Sequence, residues 1–319
     1  MRTERGCAMR RREFVSGSAA VALLCATPGW AASVKQFKLG IITDEVTQDF
    51  EKALLWVKGF GLDWVELRFV WNKYVTDLTA DDVKRAKDLL AKHSMKVSVV
   101  DSAYFKTLLP GTQSKFAEGK ADPLQSGLSQ QDALLEHVIA RAKDFGTDKV
   151  RIFSFLRVAE PKTVFDRVAK ELEKTAVIAK REGIRLLLEN EFSCNVATGA
   201  EGAAMLNAVT SPALGLNWDP GNAYAAGETP YPNGYEPLDK KRMWHMHLKD
   251  AARGPKGGEV QWMPIGGGKI DFLGQFRALV KNGYEGTMSL ETHYLNAAKN
   301  KGESSRESME GLLKVIREA

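Results

Sequence analysis

Four short strings in this 319-residue sequence each close an apolar run with a side chain that can bind a cation or move a proton. RLLLEN closes on Glu189, LGLNWDP on Asp219, MWHMHLKD on His247 and TMSLETH on Glu291. His245 lies two residues ahead of His247, on the same face of an extended chain. Two Glu, one Asp and a neutral imidazole bring about −3 into one small volume, which is prohibitively costly to bury unless it is neutralised. A dication is the simplest neutraliser. Mostly oxygen donors with one imidazole suit Mn2+, Mg2+ or Co2+, with Zn2+ a further candidate, whereas structural zinc favours Cys and His. Open positions on such an ion would take two oxygens of a sugar.

The elements that must hold these side chains together recur along the chain. Short apolar or β-branched runs at 37–43, 64–69, 96–101, 149–155, 185–190, 214–219, 243–249 and 287–291 predict eight strands. Amphipathic stretches fill most of the gaps. Asp49 and Thr79 open two helices, and others are expected over 129–145, 161–182, 199–209, 271–281 and 304–317. The gap 221–241 is Pro/Gly/Tyr-rich and reads as a loop with a short helix. Strands alternating with helices imply parallel strands and right-handed crossovers. Eight such units without a composition break predict an α/β fold of the (β/α)8 TIM-barrel type rather than a doubly wound sheet. In such a barrel the four strings end on one rim, the C-terminal rim where active sites form.

The first 32 residues read as a leader. A basic start, a mildly apolar run and a close at Ala31-Ala32 give the layout of a secretory signal, and Arg11-Arg12-Glu13-Phe14-Val15 resembles a twin-arginine (Tat) signal. The apolar run is too short to span a membrane. The expectation is export to the periplasm, with one catalytic domain over 33–319 and no stable membrane insertion after processing. Residues 1–32 hold five Arg and two Glu, so the net charge of +5 falls to +2 without them. That leaves no basic footprint for nucleic acid. Cys7 and Cys25 lie in the leader and only Cys194 remains, so no internal disulfide forms and the core alone must stabilise the fold.

Six strings follow one another in order: Val65-Glu66-Leu67-Arg68, LLLEN at Glu189, NWDPGNA at Asp219, HMHLKD at His247, PIGGGKIDF from Pro264 and SLETH at Glu291. In these the chain resembles the xylose-isomerase-like sugar phosphate isomerase/epimerase family, over essentially its whole length beyond the leader. The resemblance implies one divalent metal, often manganese, held by Glu189, Asp219, His247 and Glu291. The His-Leu-Lys-Asp string selects His247 over His245. In the ketose 3-epimerases of that family the two metal-bound glutamates also move the proton. Carried over, Glu189 and Glu291 flank the substrate, and one removes a proton next to a carbonyl while the other returns it through a metal-stabilised cis-enediolate. Many relatives place His three residues after the Asp ligand; here it is Asn222, which cannot act as a general acid. Homo-oligomers are common in the family, and no pattern here decides the assembly.

Further residues are candidates for the substrate wall. Glu66 and Arg68 end strand two and would bind hydroxyls or pair as barrel salt bridges. Arg151 and Arg157 flank strand four, Lys249 follows His247, and His293 and Glu191 lie beside the ligand strings. Lys106 is a weaker candidate. Gly266-Gly267-Gly268 reads as a tight turn before a phosphate cradle. Trp218, Tyr224, Trp244, Trp262 and Phe105 are candidate stacking walls for a sugar, of which one or two are expected to serve. The function expected is isomerisation or epimerisation of a free ketose or keto-sugar. The alternatives are a lyase or hydratase on 3-keto-glycosides, and a sugar-binding barrel without catalysis. Multi-zinc hydrolysis of the AP-endonuclease type is disfavoured by only five His in the chain.

Overall fold

Eight parallel strands follow one another around a single sheet in chain order: β1 (Lys38–Ile41), β2 (Trp64–Leu67), β3 (Lys96–Asp101), β4 (Lys149–Ile152), β5 (Arg185–Glu189), β6 (Leu214–Trp218), β7 (Met243–Leu248) and β8 (Thr287–Leu290). β8 returns to pair with β1 in register, Lys38 against Thr287. β1 and β2 meet only through a bridge of Ile42 with Glu66, which leaves a nearly closed barrel. This computed structural model describes residues 37–116 and 127–319, and the leader assigned to residues 1–32 lies outside them. Among the described residues no helix is long and apolar enough to cross a membrane.

Each strand leads into a helix: α1 (Phe50–Gly59), α2 (Ala80–Lys92), α3 (Gln131–Asp144), α4 (Phe165–Arg181), α5 (Gly199–Ala208), α6 (Pro220–Ala225), α7 (Phe272–Lys281) and α8 (Lys301–Glu318). Their starts are written locally. Asp49 caps α1 through Lys52 N, and Thr79 and Thr198 close reciprocal capping boxes on α2 and α5. Leu39 and Ile41, Leu186 and Leu188, and Met246 and Leu248 turn outward into an apolar layer beneath the helices. The alternate residues turn inward, which on β7 aims His245 and His247 at the barrel axis.

Phe276 on α7 is fully buried and packs with Phe37 and Phe272 at ring distances of 5.4 and 6.4 Å. Phe276→Ala is expected to destabilise the fold by about 3–5 kcal/mol. Urea unfolding checks this, and a shift below about 1 kcal/mol would mean that the layer closes over the cavity.

Candidate metal centre

Glu189 is the last residue of β5, Asp219 follows β6, His247 is the penultimate residue of β7 and Glu291 follows β8. One donor atom from each lies within 4.8 Å of all the others. His247 Nδ1 is 3.3 Å from Glu189 Oε1, 3.4 Å from Glu291 Oε2 and 3.9 Å from Asp219 Oδ2. Asp219 also caps α6 by accepting from Asn222 N at 2.9 Å, which fixes one oxygen and leaves Oδ2 turned to the cluster. All four residues are buried.

Beneath this cluster lies a hydrogen-bonded chain. His247 Nε2 meets Glu66 Oε1 at 2.9 Å, Glu66 Oε2 meets His245 Nε2 at 2.9 Å, and His245 Nδ1 meets Thr287 Oγ1 at 2.6 Å. Burial would raise the Glu66 carboxyl, yet the facing imidazoles of His247 and His245 hold it well below the usual range. An ionised Glu66 accepts only, so both Nε2 atoms donate to it. His247 Nδ1 then faces the carboxylate cluster, and the Thr287 hydroxyl donates to His245 Nδ1. Glu66 therefore stands below the site, away from its mouth, and His245 stands one layer deeper than His247.

Three cations neutralise part of the cluster. Arg68 donates to Glu291 Oε1 at 2.9 Å and to Asp44 at 2.8 Å, and also pairs with Glu45. Arg151 pairs with Asp101 at 2.9 Å and reaches Glu189 at 3.4 Å. Lys249 Nζ bridges Asp219 at 2.8 Å and Glu291 at 2.6 Å. A Cβ on Gly221 would stand 2.4 Å from Lys249 Cγ, so glycine is needed there for the lysine to pass. Asn222 Nδ2 donates to Glu189 at 3.0 Å and Asp219 at 3.1 Å, while its buried Oδ1 has no partner.

The charge count fits a cation. Around this rim eight carboxylates are buried (Asp44, Glu45, Glu66, Asp101, Glu189, Glu191, Asp219, Glu291) against the four cations Arg68, Lys106, Arg151 and Lys249. Three carboxylate donors, one imidazole and excess negative charge suit a hard or borderline dication.

Without a metal the site holds protons instead. Burial, with Glu189 and Glu291 nearby, pushes Asp219 up to about 7 despite Lys249. Burial opposes the charged form of His247, but Glu66, Glu189 and Glu291 raise it well above its ordinary value. Burial acts against Glu189 too, yet His247 and Arg151 hold it down at about 2. The signs are opposite. Stability from Asp219 is full below 3.8 and lost as pH rises through about 7, whereas that from Glu189 is present above 4.5 and lost as pH falls towards about 2. Uptake of Mn2+ by the metal-free protein is thus expected to expel protons from Asp219 and His247, and affinity should rise with pH through about 7, where Asp219 ionises, and continue to rise while His247 still holds its proton. Calorimetry in buffers of different ionisation heat reads this directly, and a heat independent of buffer would contradict it.

The remaining expected residues divide. His293 lies 3.4 Å from Glu291 with its side chain 33% exposed, and Trp262 packs edge-on to it at 5.1 Å while covering Lys249. Trp262 arrives on an antiparallel hairpin, Asp250–Arg253 against Val260–Met263. Glu191 accepts from Asn222 at 3.3 Å. Arg157 turns away to Glu201, and Trp218 is core, bonded to Gln275. Trp244 lies at the opposite end of the barrel, and Phe105 stacks in the core on Phe155. The glycine turn wraps a protein carboxylate: Gly266 N and Gly268 N donate to Asp250, and a Cβ on Gly268 would stand 2.1 Å from Asp250 Oδ1. Residues passed over in the sequence include Asp44, Glu45 and Asp101, whose positions at the ends of strands one and three obey the same rim rule. Tyr74 was also unmarked. Its hydroxyl is buried without a partner and senses Arg151, Asp101 and Arg68.

The profile of the Xylose isomerase-like TIM barrel family matches residues 54–315, and the chain belongs to that family. Among solved structures it is similar to the IolI protein with a binding zinc atom, at 17% identity over 88% of this chain and 98% of that one, TM-score 0.68. It is also similar to D-psicose 3-epimerase with D-tagatose from Clostridium cellulolyticum H10, at 14% identity over 89% and 100%, TM-score 0.64. A third is the probable 3-DHS dehydratase AsbF of Bacillus anthracis, at 15% identity over 83% and 97%, TM-score 0.63. No functionally curated protein matches the sequence.

Proposed function

We propose that the protein is a divalent-metal-dependent isomerase or epimerase of a ketose or keto-sugar. The observation that carries this is the cluster of Glu189, Asp219, His247 and Glu291 on four consecutive strands, within a rim whose buried carboxylates outnumber its cations two to one. These four residues would hold the metal, with Mn2+ the leading candidate and Mg2+, Co2+ or Zn2+ the others. The bound ion supplies Lewis-acid polarisation of the substrate carbonyl.

The chain's own residues do the rest. Glu189 and Glu291 are held ionised, Glu189 chiefly by His247 and Arg151, Glu291 by Lys249, His293 and His247. An ionised carboxylate is what abstraction of a proton next to a carbonyl requires. Return of a proton by the other carboxylate from the opposite face gives the epimer, and return to the neighbouring carbon gives the isomer. Asn222 Oδ1 and the Tyr74 hydroxyl, both buried and unpartnered, offer hydrogen bonds to substrate hydroxyls. Trp262 and His293 wall the mouth. Operation outside the cytoplasm, through the twin-arginine route, is part of the same proposal and rests on the leader sequence.

A second reading is elimination from a 3-keto-glycoside after the same proton abstraction. It is raised by Asn222 standing where many relatives place His; the departing aglycone oxygen would then take its proton from solvent or from the glutamate that abstracted it. Incubation in D2O with Mn2+ and a panel of ketoses, aldoses and 3-keto-glycosides separates the two. C–H to C–D exchange, abolished by chelator, is expected; a released aglycone selects elimination. A metal-filled protein that exchanges no proton with any of them would overturn both.

A further inference from the structure

The end of the barrel opposite the metal centre carries the reverse charge imbalance. Four strands begin with a cation: Lys38, Lys96, Lys149 and Arg185. A cavity of about 510 Å3 opens there, its floor made by the first residues of six strands: Lys38, Trp64, Lys149, Arg185, Met243 and Thr287. Lys240 and Lys241 also line it, and Glu285 is its only carboxylate. The volume lies in the range of small-molecule sites, about 300–1,000 Å3.

These cations meet little negative charge: two bond to carbonyls and two share a single carboxylate. Lys38 donates to the Glu285 carbonyl at 2.9 Å, and Lys240 to the carbonyls of Tyr235, Glu236 and Leu238. Arg185 is paired with Asp148 at 2.7 Å. Lys149 shares that one carboxylate with Arg185. Its side chain is 14% exposed, and its nearest carboxylate is that same Asp148, at 3.5 Å. Burial holds its ammonium below the usual range against the pull of Asp148, with Arg185 and Lys38 beside it adding to the shift. Helix dipoles do not account for the cluster, because the helices that end on this side carry their own last-turn cations, among them Lys58, Lys92, Lys143, Lys180 and Lys281. Trp64 and Trp244 wall the cavity beneath Lys96 and Arg185, each at 5.4 Å.

We propose that this cavity binds a small polyanion, phosphoryl or polycarboxylate, with Lys149 as its central contact and Lys38 and Lys241 at its edge. Such a ligand supplies the negative charge that the surrounding carbonyls do not. It would occupy the barrel's N-terminal face, a full strand length from the metal centre, and bind independently of the sugar.

Calorimetric titration of pyrophosphate, citrate and inorganic phosphate into the metal-free protein at low ionic strength tests this. One pyrophosphate or citrate per chain is expected, and the tighter of the two assigns the ligand class. Lys149→Met is expected to weaken binding at least about tenfold, because it removes a desolvated charge partner. Lys241→Ser, at an exposed position, should weaken it less, and Lys314→Met on α8 should leave it unchanged. Circular dichroism confirms that each variant is folded. Absence of binding at millimolar anion would overturn the proposal. So would binding that survives Lys149→Met and Lys241→Ser but is lost in Lys249→Met, which would put the anion at the metal centre.

Discussion

Glu189→Gln is expected to lower C–H exchange by about 10²–10⁴-fold, the range that a positioned general base or acid contributes. Gln keeps the shape and can still accept from Asn222 Nδ2, which lies 3.0 Å from Glu189 Oε1. It loses the charge that takes the proton. Because Glu189 would also bind the metal, the variant must be assayed over rising Mn2+ until activity is level. A loss that persists at saturation belongs to proton transfer; one that vanishes belongs to metal binding. Glu291→Gln is expected to behave alike, since Arg68 and Lys249 hold that carboxylate at 2.9 and 2.6 Å. Activity within tenfold of the native enzyme at saturating metal in both variants would remove the glutamates from the chemistry.

Substitution of Glu66 is expected to weaken Mn2+ binding although this residue is not among the four proposed ligands. Partners behind a ligand histidine fix its tautomer and orientation, and their loss typically costs about 10–100-fold in affinity. Glu66→Gln can still accept from His247 while donating to His245, provided His245 turns its remaining proton to Thr287. A loss near the lower limit, about tenfold, follows. Glu66→Leu leaves both imidazoles without an acceptor and should approach about 100-fold. Calorimetric stoichiometry should stay at one ion per chain, with an unchanged circular dichroism spectrum. A Leu variant that binds Mn2+ as tightly as the native protein would mean that His247 is held by the barrel alone.

Strand starts were legible because a β-branched or apolar run begins where the ladder begins; 96–101 is reproduced residue for residue as Lys96–Asp101. Strand ends were read too long, 214–219 against Leu214–Trp218 and 287–291 against Thr287–Leu290. The excess residues are Asp219 and Glu291, which leave the ladder to enter the rim, so strand end and site blur into one signal. Two hairpins escaped notice: Phe69–Val70 with Lys73–Tyr74, turning through Trp71 and Asn72 at positive φ, and the one that delivers Trp262. The first turns through Trp-Asn rather than Asn-Gly or Gly-Gly, and the second is joined by six residues, 254–259, so its Gly257-Gly258 does not form the two-residue turn that marks a hairpin in sequence. Glu66 reads as a rim residue from its own strand alone. Its place under His247 depends on which inward side chains meet across the barrel, and linear spacing does not encode that. The glycine turn could be seen as special, but its anion proved to be Asp250 of the same chain.

The most direct measurement is a crystal grown with Mn2+ and measured at the manganese edge. One anomalous peak is predicted per chain, within bonding distance of Glu189, Asp219, His247 Nδ1 and Glu291, with Lys249 displaced from at least one of its carboxylates. A peak bonded to His245 or outside this rim, or no peak at saturating Mn2+, would contradict the account.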